Sequence, residues 1–289
     1  MVLSALIGLG VLLSADSLLD GKIQLIQDGY QFADGPLWLP DEEKWIFSDV
    51  LADTLYDSNN EHHLKPSKNI NGLNLDAQKR VVACQSQTHS IVRLERNGKT
   101  TALASHFADK PLNATNDLVV RSDGVIFFTD PIPAEKGFES ALGYSGVYAL
   151  WPEQGKIKLL TKELRYPNGI GLSPDEKTLY VSDTCDTAIW AYTLDTDDSI
   201  SAMKKLCTVE LPDGLAVDDD GHIWSTTSTG ITIFSNKGER LESVTTSMMP
   251  TNCAFGGPNN STLLITARKR VFRIETRVHG LGAYHQKRK

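Results

Sequence analysis

Six Asp or Asn residues recur along the chain, each at the entrance to an apolar, strand-forming run: Asp34, Asn71, Asn116, Asn168, Asp213 and Asn252. Taken singly, an Asx-Gly pair such as Asp34-Gly35 or Asn168-Gly169 is turn chemistry, because the Asx side chain bonds its own backbone. Repeated placement adds a second meaning. The six offer carboxylate and amide oxygens with no thiolate or imidazole among them. Oxygen-only donors suit a hard cation, Ca²⁺ first, with Mg²⁺, Mn²⁺ and Zn²⁺ as alternatives. Such an ion can polarise a carbonyl for attack by water.

For six residues so far apart to meet, the chain must repeat itself in space, and the sequence does repeat. Asp34-Gly35-Pro36-Leu37-Trp38 leads to Pro40-Asp41 and then Trp45-Ile46-Phe47-Ser48-Asp49. Asn168-Gly169-Ile170-Gly171-Leu172 leads to Pro174-Asp175 and then Leu179-Tyr180-Val181-Ser182-Asp183. Asp213-Gly214-Leu215-Ala216-Val217 leads to Asp220-Gly221 and then Ile223-Trp224-Ser225-Thr226. Units opening at Asn71, Asn116 and Asn252 follow the same plan. Each unit reads as a corner, a strand, a tight turn, and a second strand rich in β-branched and aromatic residues. A third strand follows in most units, for example Gly146-Val147-Tyr148-Ala149-Leu150, and a fourth leads to the next corner.

Successive corners are 37, 45, 52, 45 and 39 residues apart, the period of a propeller blade. The expected fold is therefore all-β: a six-bladed β-propeller with four-stranded antiparallel blades. Residues 22–289 form its single domain, after an apolar segment at residues 1–21. The strand Lys22–Ile26 is expected to pair with the last blade and close the ring, which removes open sheet edges. The long third interval holds Pro131–Tyr144, an excursion expected to lie over the channel mouth. First strands line a propeller's channel, so the six corners converge at one end of it.

The remaining signals narrow the chemistry. A net charge of −7 over 289 residues argues against a general nucleic-acid binder, which needs a basic face. The basic residues Arg268–Arg270 and Lys287–Lys289 read as solvated surface. Neither a glycine-rich phosphate loop nor a G-x-S-x-G elbow occurs. The histidines are scattered, and His89 alone is placed where it could reach the mouth. Cys84, Cys185, Cys207 and Cys253 show no metal spacing and read as buried free thiols. Asp49, Asp130 and Asp183, each closing a second strand, read as hydrogen-bonding residues rather than catalysts. Met1–Ala15 is apolar with no basic residue before it, so it reads as a weak export signal, a short helix or an extension. No membrane span is expected, and the compartment is cytoplasmic unless that segment directs export.

From about Ile23 to Gly280 the sequence resembles the gluconolactonase/regucalcin (senescence-marker) family of six-bladed propeller hydrolases. The resemblance is carried by Phe32-Ala33-Asp34-Gly35-Pro36-Leu37-Trp38, Leu112-Asn113-Ala114-Thr115-Asn116-Asp117-Leu118, Tyr166-Pro167-Asn168-Gly169-Ile170, Leu211-Pro212-Asp213-Gly214-Leu215 and Pro250-Thr251-Asn252-Cys253-Ala254-Phe255-Gly256-Gly257. It implies a divalent metal, Ca²⁺ foremost, held by Asp34, Asn116, Asn168 and Asp213, with Asn116 on the water and substrate side. The family's first corner usually carries Glu, and here Asp34 is one methylene shorter. The activity implied is opening of a sugar lactone, with Asp213 and Asn116 catalytic and Asn71, Asn113, Asp117 and Asn252 facing a small-molecule lactone. A phosphotriesterase-like hydrolase and a non-catalytic binding propeller are the competing readings. The protein is expected as a monomer or dimer.

Overall fold

Alternation of apolar side chains along the strands sends neighbouring residues into different cores. In the strand Ile126–Asp130, Ile126 and Phe128 pack with Val82, Cys84, Ile91 and Tyr148. Phe127, between them, packs on the other side with Ile170, Leu179, Val181 and Tyr192. Both faces of the sheet are thus covered by its neighbours, which is why the strand reads as an unbroken apolar run. Each large side chain so removed from water contributes about 2–3 kcal/mol.

This arrangement is seen in a computed structural model that describes residues 17–281. The expectations for residues 1–16, for His285 and for Lys287–Lys289 lie outside the described residues. Among the described residues there is no α-helix, only strands and two short 3₁₀ turns at Ser86–Thr88 and Pro152–Gln154. None is a helix long and apolar enough to cross a membrane. The protein is an all-β propeller.

Four sheets have the expected four antiparallel strands, and their first strands are Ile70–Leu75, Leu118–Val120, Pro167–Leu172 and Leu215–Val217. The remaining two expected blades differ. They are joined in one six-stranded sheet, in the order Asn252–Gly256, Thr262–Glu275, Gln24–Leu39, Lys44–Asp49, Thr54–Asp57 and His62–Leu64. The described residues therefore form five large sheets where the sequence predicts six, plus a small ribbon of His106–Phe107 and Lys110–Pro111. The joining element is the 16-residue strand Gln24–Leu39. Its first part pairs with the last hairpin (Gln24↔Arg273, Leu25↔Phe272), and its second with Lys44–Asp49 (Asp34↔Ser48, Leu37↔Ile46). The register shifts between Asp28 and Ala33. The closing pair expected of Lys22–Ile26 is thus formed.

Residues before this strand also dock on the sheets. Ser17 Oγ and Leu18 N–H donate to the Glu242 carboxylate at 2.7 and 2.8 Å, and Leu19 is buried. The four cysteines are free; Cys84 and Cys253 are buried as expected, but Cys185 is exposed and Cys207 half-buried. Cys185 differs because it lies in the turn after Thr178–Asp183, not in the strand.

Candidate active site

Each corner is fastened to the next. Ser48 Oγ donates to Asn71 O at 3.1 Å, and Gly72 N–H to Asn116 O at 2.8 Å. Thr129 Oγ donates to Asn168 O at 2.7 Å, and Gly169 N–H to Asp213 O at 3.0 Å. Gly214 N–H donates to Thr251 O at 2.8 Å, and Thr251 Oγ to Ala33 O at 2.6 Å. Ala33 adjoins Asp34, so the circuit returns to its start with all six corners in it. Ser48 and Thr129 donate from second strands and Thr251 from the residue before a corner, while the N–H groups belong to the glycines that follow the Asx residues.

Those glycines also set how closely the corners approach. A Cβ on Gly72 would lie 2.3 Å from Asp117 Oδ1, and one on Gly214 would lie 2.0 Å from Asn252 Oδ1. Both distances are far inside contact, so only glycine lets the neighbouring side chain occupy that space.

The side chains fall into two groups. Asp34, Asp117, Asn168 and Asn252 are buried, while Asn71, Asn116 and Asp213 are half-buried. Asp34 Oδ1 accepts from Gly35 N–H at 2.7 Å. Asp117 Oδ1 accepts from Leu118 N–H at 2.9 Å, and its Oδ2 faces Asn252 Nδ2 at 3.4 Å. Asp117 and Asn252 lie at corners three steps apart in the circuit, so this contact spans the axis. Against it lies a cavity of about 100 Å³ lined by Asp117 and Asn252 themselves, by Asn74, and by apolar residues of the inner strands, among them Leu37, Leu73, Ile170 and Leu215. Asn168 Nδ2 donates to Thr184 Oγ at 3.0 Å, which donates in turn to Pro212 O at 2.6 Å. Asn71 Oδ1 is buried without a hydrogen-bond partner.

Three carboxyls repel one another around this axis. Burial pushes Asp34 up to about 6, against the Gly35 N–H and the Asn252 amide. Burial and then the Asp34 charge push Asp117 up to about 7. Asp213 is driven well above the carboxylate range by burial, then by Asp34 and Asp117; Asn168 and Arg268 oppose this. In circuit order the acidic corners alternate with amide corners. Among the described residues no group of three or more His, Cys, Asp or Glu side chains forms a metal cage. Any cation here would draw on amide oxygens as well as carboxylates. The buried, unpartnered oxygen of Asn71 and the mutual repulsion of the carboxyls fit such a guest.

Asn113, expected to face substrate, is committed to the scaffold. It is 1% exposed, its N–H donates to Asp130 Oδ2 at 2.9 Å, and its amide donates to Asp130 O and Tyr144 O at 3.1 and 2.9 Å. Ser140 of the excursion donates to its Oδ1, and His89 Nδ1 contacts its carbonyl. Asn113 therefore ties Pro131–Tyr144 to the corner loop. His89 also meets Phe138 of that excursion, with ring centroids 6.1 Å apart. Asp49 and Asp183 act as hydrogen-bonding residues. Asp49 accepts from the N–H groups of Gln31, Phe32 and Ala52, and Asp183 from those of Arg165, Tyr166, Cys185 and Asp186.

Two rim residues escaped the sequence reading. Tyr166 is half-buried, and its hydroxyl is pushed up to about 12 by burial, then by Asp213, Cys185 and Asp34. Arg268, read from sequence as solvated surface, is exposed as expected, and it lies within Thr262–Glu275 where that strand passes from pairing with Asn252–Gly256 to pairing with Gln24–Leu39. Its Cα pairs with Ala33, and its charge reaches Asp213. The signal lay in its position: it follows Thr266, which pairs with the corner residue Asn252.

A family model described as "SMP-30/Gluconolactonase/LRE-like region" matches residues 32–269. A gluconolactonase of Zymomonas mobilis is 28% identical over 92% of this chain and 85% of its own length. Among solved structures, a gluconolactonase of Xanthomonas campestris superposes with a TM-score of 0.83 at 29% identity, covering 88% of this chain and 89% of that one. A calcium-binding regucalcin of Agrobacterium tumefaciens shares the fold, with a TM-score of 0.76 at 20% identity over 91% and 95% of the two chains.

Proposed function

The chain belongs to the SMP-30/gluconolactonase/LRE-like family, and from that premise we propose that it is a lactone hydrolase acting at the ring of six corners. The observation that carries this reading is the closed hydrogen-bonded circuit, which gathers three mutually repelling carboxyls and four amide side chains around one axis. We read the six-stranded sheet as two blades, giving six in a single domain over residues 22–289. Thr262 Oγ donates to Glu275 Oε2 at 2.8 Å and Thr276 N–H to Ser261 O at 2.8 Å, as in a strand folded back on itself near Arg268.

Asp34, Asn116, Asn168 and Asp213 would hold a divalent cation, with Ca²⁺ the first candidate and Mg²⁺, Mn²⁺ and Zn²⁺ the others. When bound, such an ion supplies polarisation of the lactone carbonyl and stabilisation of the charge that builds on its oxygen. The rest falls to the protein. Asp213, half-buried at the mouth, takes a proton from the attacking water. The water oxygen bonds to the carbonyl carbon, the ring C–O bond breaks, Asp213 returns its proton to the leaving oxygen, and a hydroxy acid departs. Asn116 orients water and substrate, and Asn71 lines the same mouth. Asp117 and Asn252 close the axis beneath, so that the lactone stays at the rim.

The test is turnover of gluconolactone and other aldonolactones by protein stripped with chelator and then reloaded with each cation. Activity restored by one of them, and lost in Asp213→Ala, is the expected result. Full activity without metal, or in Asp213→Ala, would refute the mechanism. An organophosphate in the same panel separates the phosphotriesterase-like alternative.

A further inference from the structure

Most basic side chains near the closing sheet have partners. Arg270 holds Asp28 at 3.0 Å and Ser247 at 2.9 Å, and Arg273 bonds Gln24 at 3.1 Å. Arg165, on the rim, pairs with Asp186 at 3.2 Å. Arg268 differs. It is exposed, forms no salt bridge among the described residues, and its guanidinium donates to the Met249 sulfur at 3.5 Å. Its backbone is left-handed, with φ 53°, where the strand Thr262–Glu275 changes pairing partner. A non-glycine residue there carries strain of order 1 kcal/mol. Cα pairing with Ala33 sets Arg268 one residue from Asp34, and its charge opposes the upward shift of Asp213. A planar cation with five N–H donors thus stands uncommitted on the rim of an acidic centre.

We infer that Arg268 is a specificity residue that binds an anionic oxygen group carried by the lactone, making acidic lactones the substrate class. The reasoning rests on the lactonase reading above. A neutral lactone gives the guanidinium only hydroxyls to meet. A carboxylate or phosphate matches its fork with two parallel charge-assisted bonds. The acidic centre repels anions, so an acidic lactone needs a cation at the rim to enter in one orientation. Arg268 places that anionic group at the rim and leaves the ring carbonyl toward Asp213.

The experiment compares gluconolactone, the same ring bearing a terminal carboxylate, and the same ring bearing a terminal phosphate, on wild type, Arg268→Gln and Arg268→Lys. Wild type is expected to prefer an anionic lactone by about 10-fold in kcat/KM at low salt. The preference should shrink as salt rises. In Arg268→Gln the anionic-to-neutral ratio falls about 10-fold through KM, and Arg268→Lys restores part of it. The two anionic substrates tell carboxylate from phosphate. An equal loss on all three substrates in Arg268→Gln, or no anionic preference in wild type, overturns the inference. No turnover of any lactone by wild type sinks the lactonase reading instead. Calorimetric titration of wild type and Arg268→Gln with the sugar diacid then decides the anion site by itself.

Discussion

Asp34, Asp117 and Asp213, each raised by burial and the last two also by neighbouring carboxyls, are unstable company unless protons or a cation sit among them. This predicts that added Ca²⁺ raises the thermal midpoint of chelator-stripped protein at neutral pH, since a ligand bound only by the folded state stabilises it. The gain should fade on acidification, as protons claim the same oxygens. Coincident melting curves with and without every candidate cation would count against the site. Asp213→Asn is expected to melt higher than wild type in chelator, because a repelling buried charge is gone, while its lactone turnover drops about 100-fold or more. Asp130 gives a separate pH effect. Burial lifts it from 3.8 to about 7, against the N–H groups of Asn113 and Ala114, and its Oδ1 has no partner. The folded state binds that proton more tightly than the unfolded state does. Its contribution is therefore complete below about pH 4 and lost as pH rises through about 7. Urea midpoints across that window should fall less in Asp130→Asn than in wild type. The corner residues were readable from sequence because their types repeat with a blade-like period. The bonding of Asn113 was not, because it depends on tertiary partners, Asp130, Tyr144 and Ser140, that the period does not specify.

At the level of elements, the corners work because second strands hold them. Asp183 accepts four backbone N–H groups around the loop that carries Tyr166 and leads to Asn168. Asp183→Ala leaves those donors without their acceptor and is expected to cost about 3 kcal/mol or more in chemical denaturation. Lactone KM should rise as the corner loosens. A wild-type denaturation curve for this variant would contradict the role. Gly214→Ala tests the approach of neighbouring corners, with an expected cost of about 1–3 kcal/mol from overpacking against Asn252. The strands were legible from their two-face apolar runs and Asp-Gly turns. The closing pair of the first and last units was legible as well, although Gln24–Asp28 pairs with residues more than 240 positions away; the continuation of that strand to Leu39, which merges two expected sheets into one, was not.

Across the whole molecule, the six-stranded sheet is where the two ends of the described chain are woven together. During synthesis Gln24–Asp28 leaves the ribosome long before Arg270–Arg273 exists, and for that interval it has no clasp to fasten. The first blade waits with a bare flank while the others accumulate beside it, a state open to wrong partners. The last hairpin thus acts as the buckle of a belt: nothing earlier in translation can substitute for it, and weakening it should show first as poor yield rather than as a damaged site.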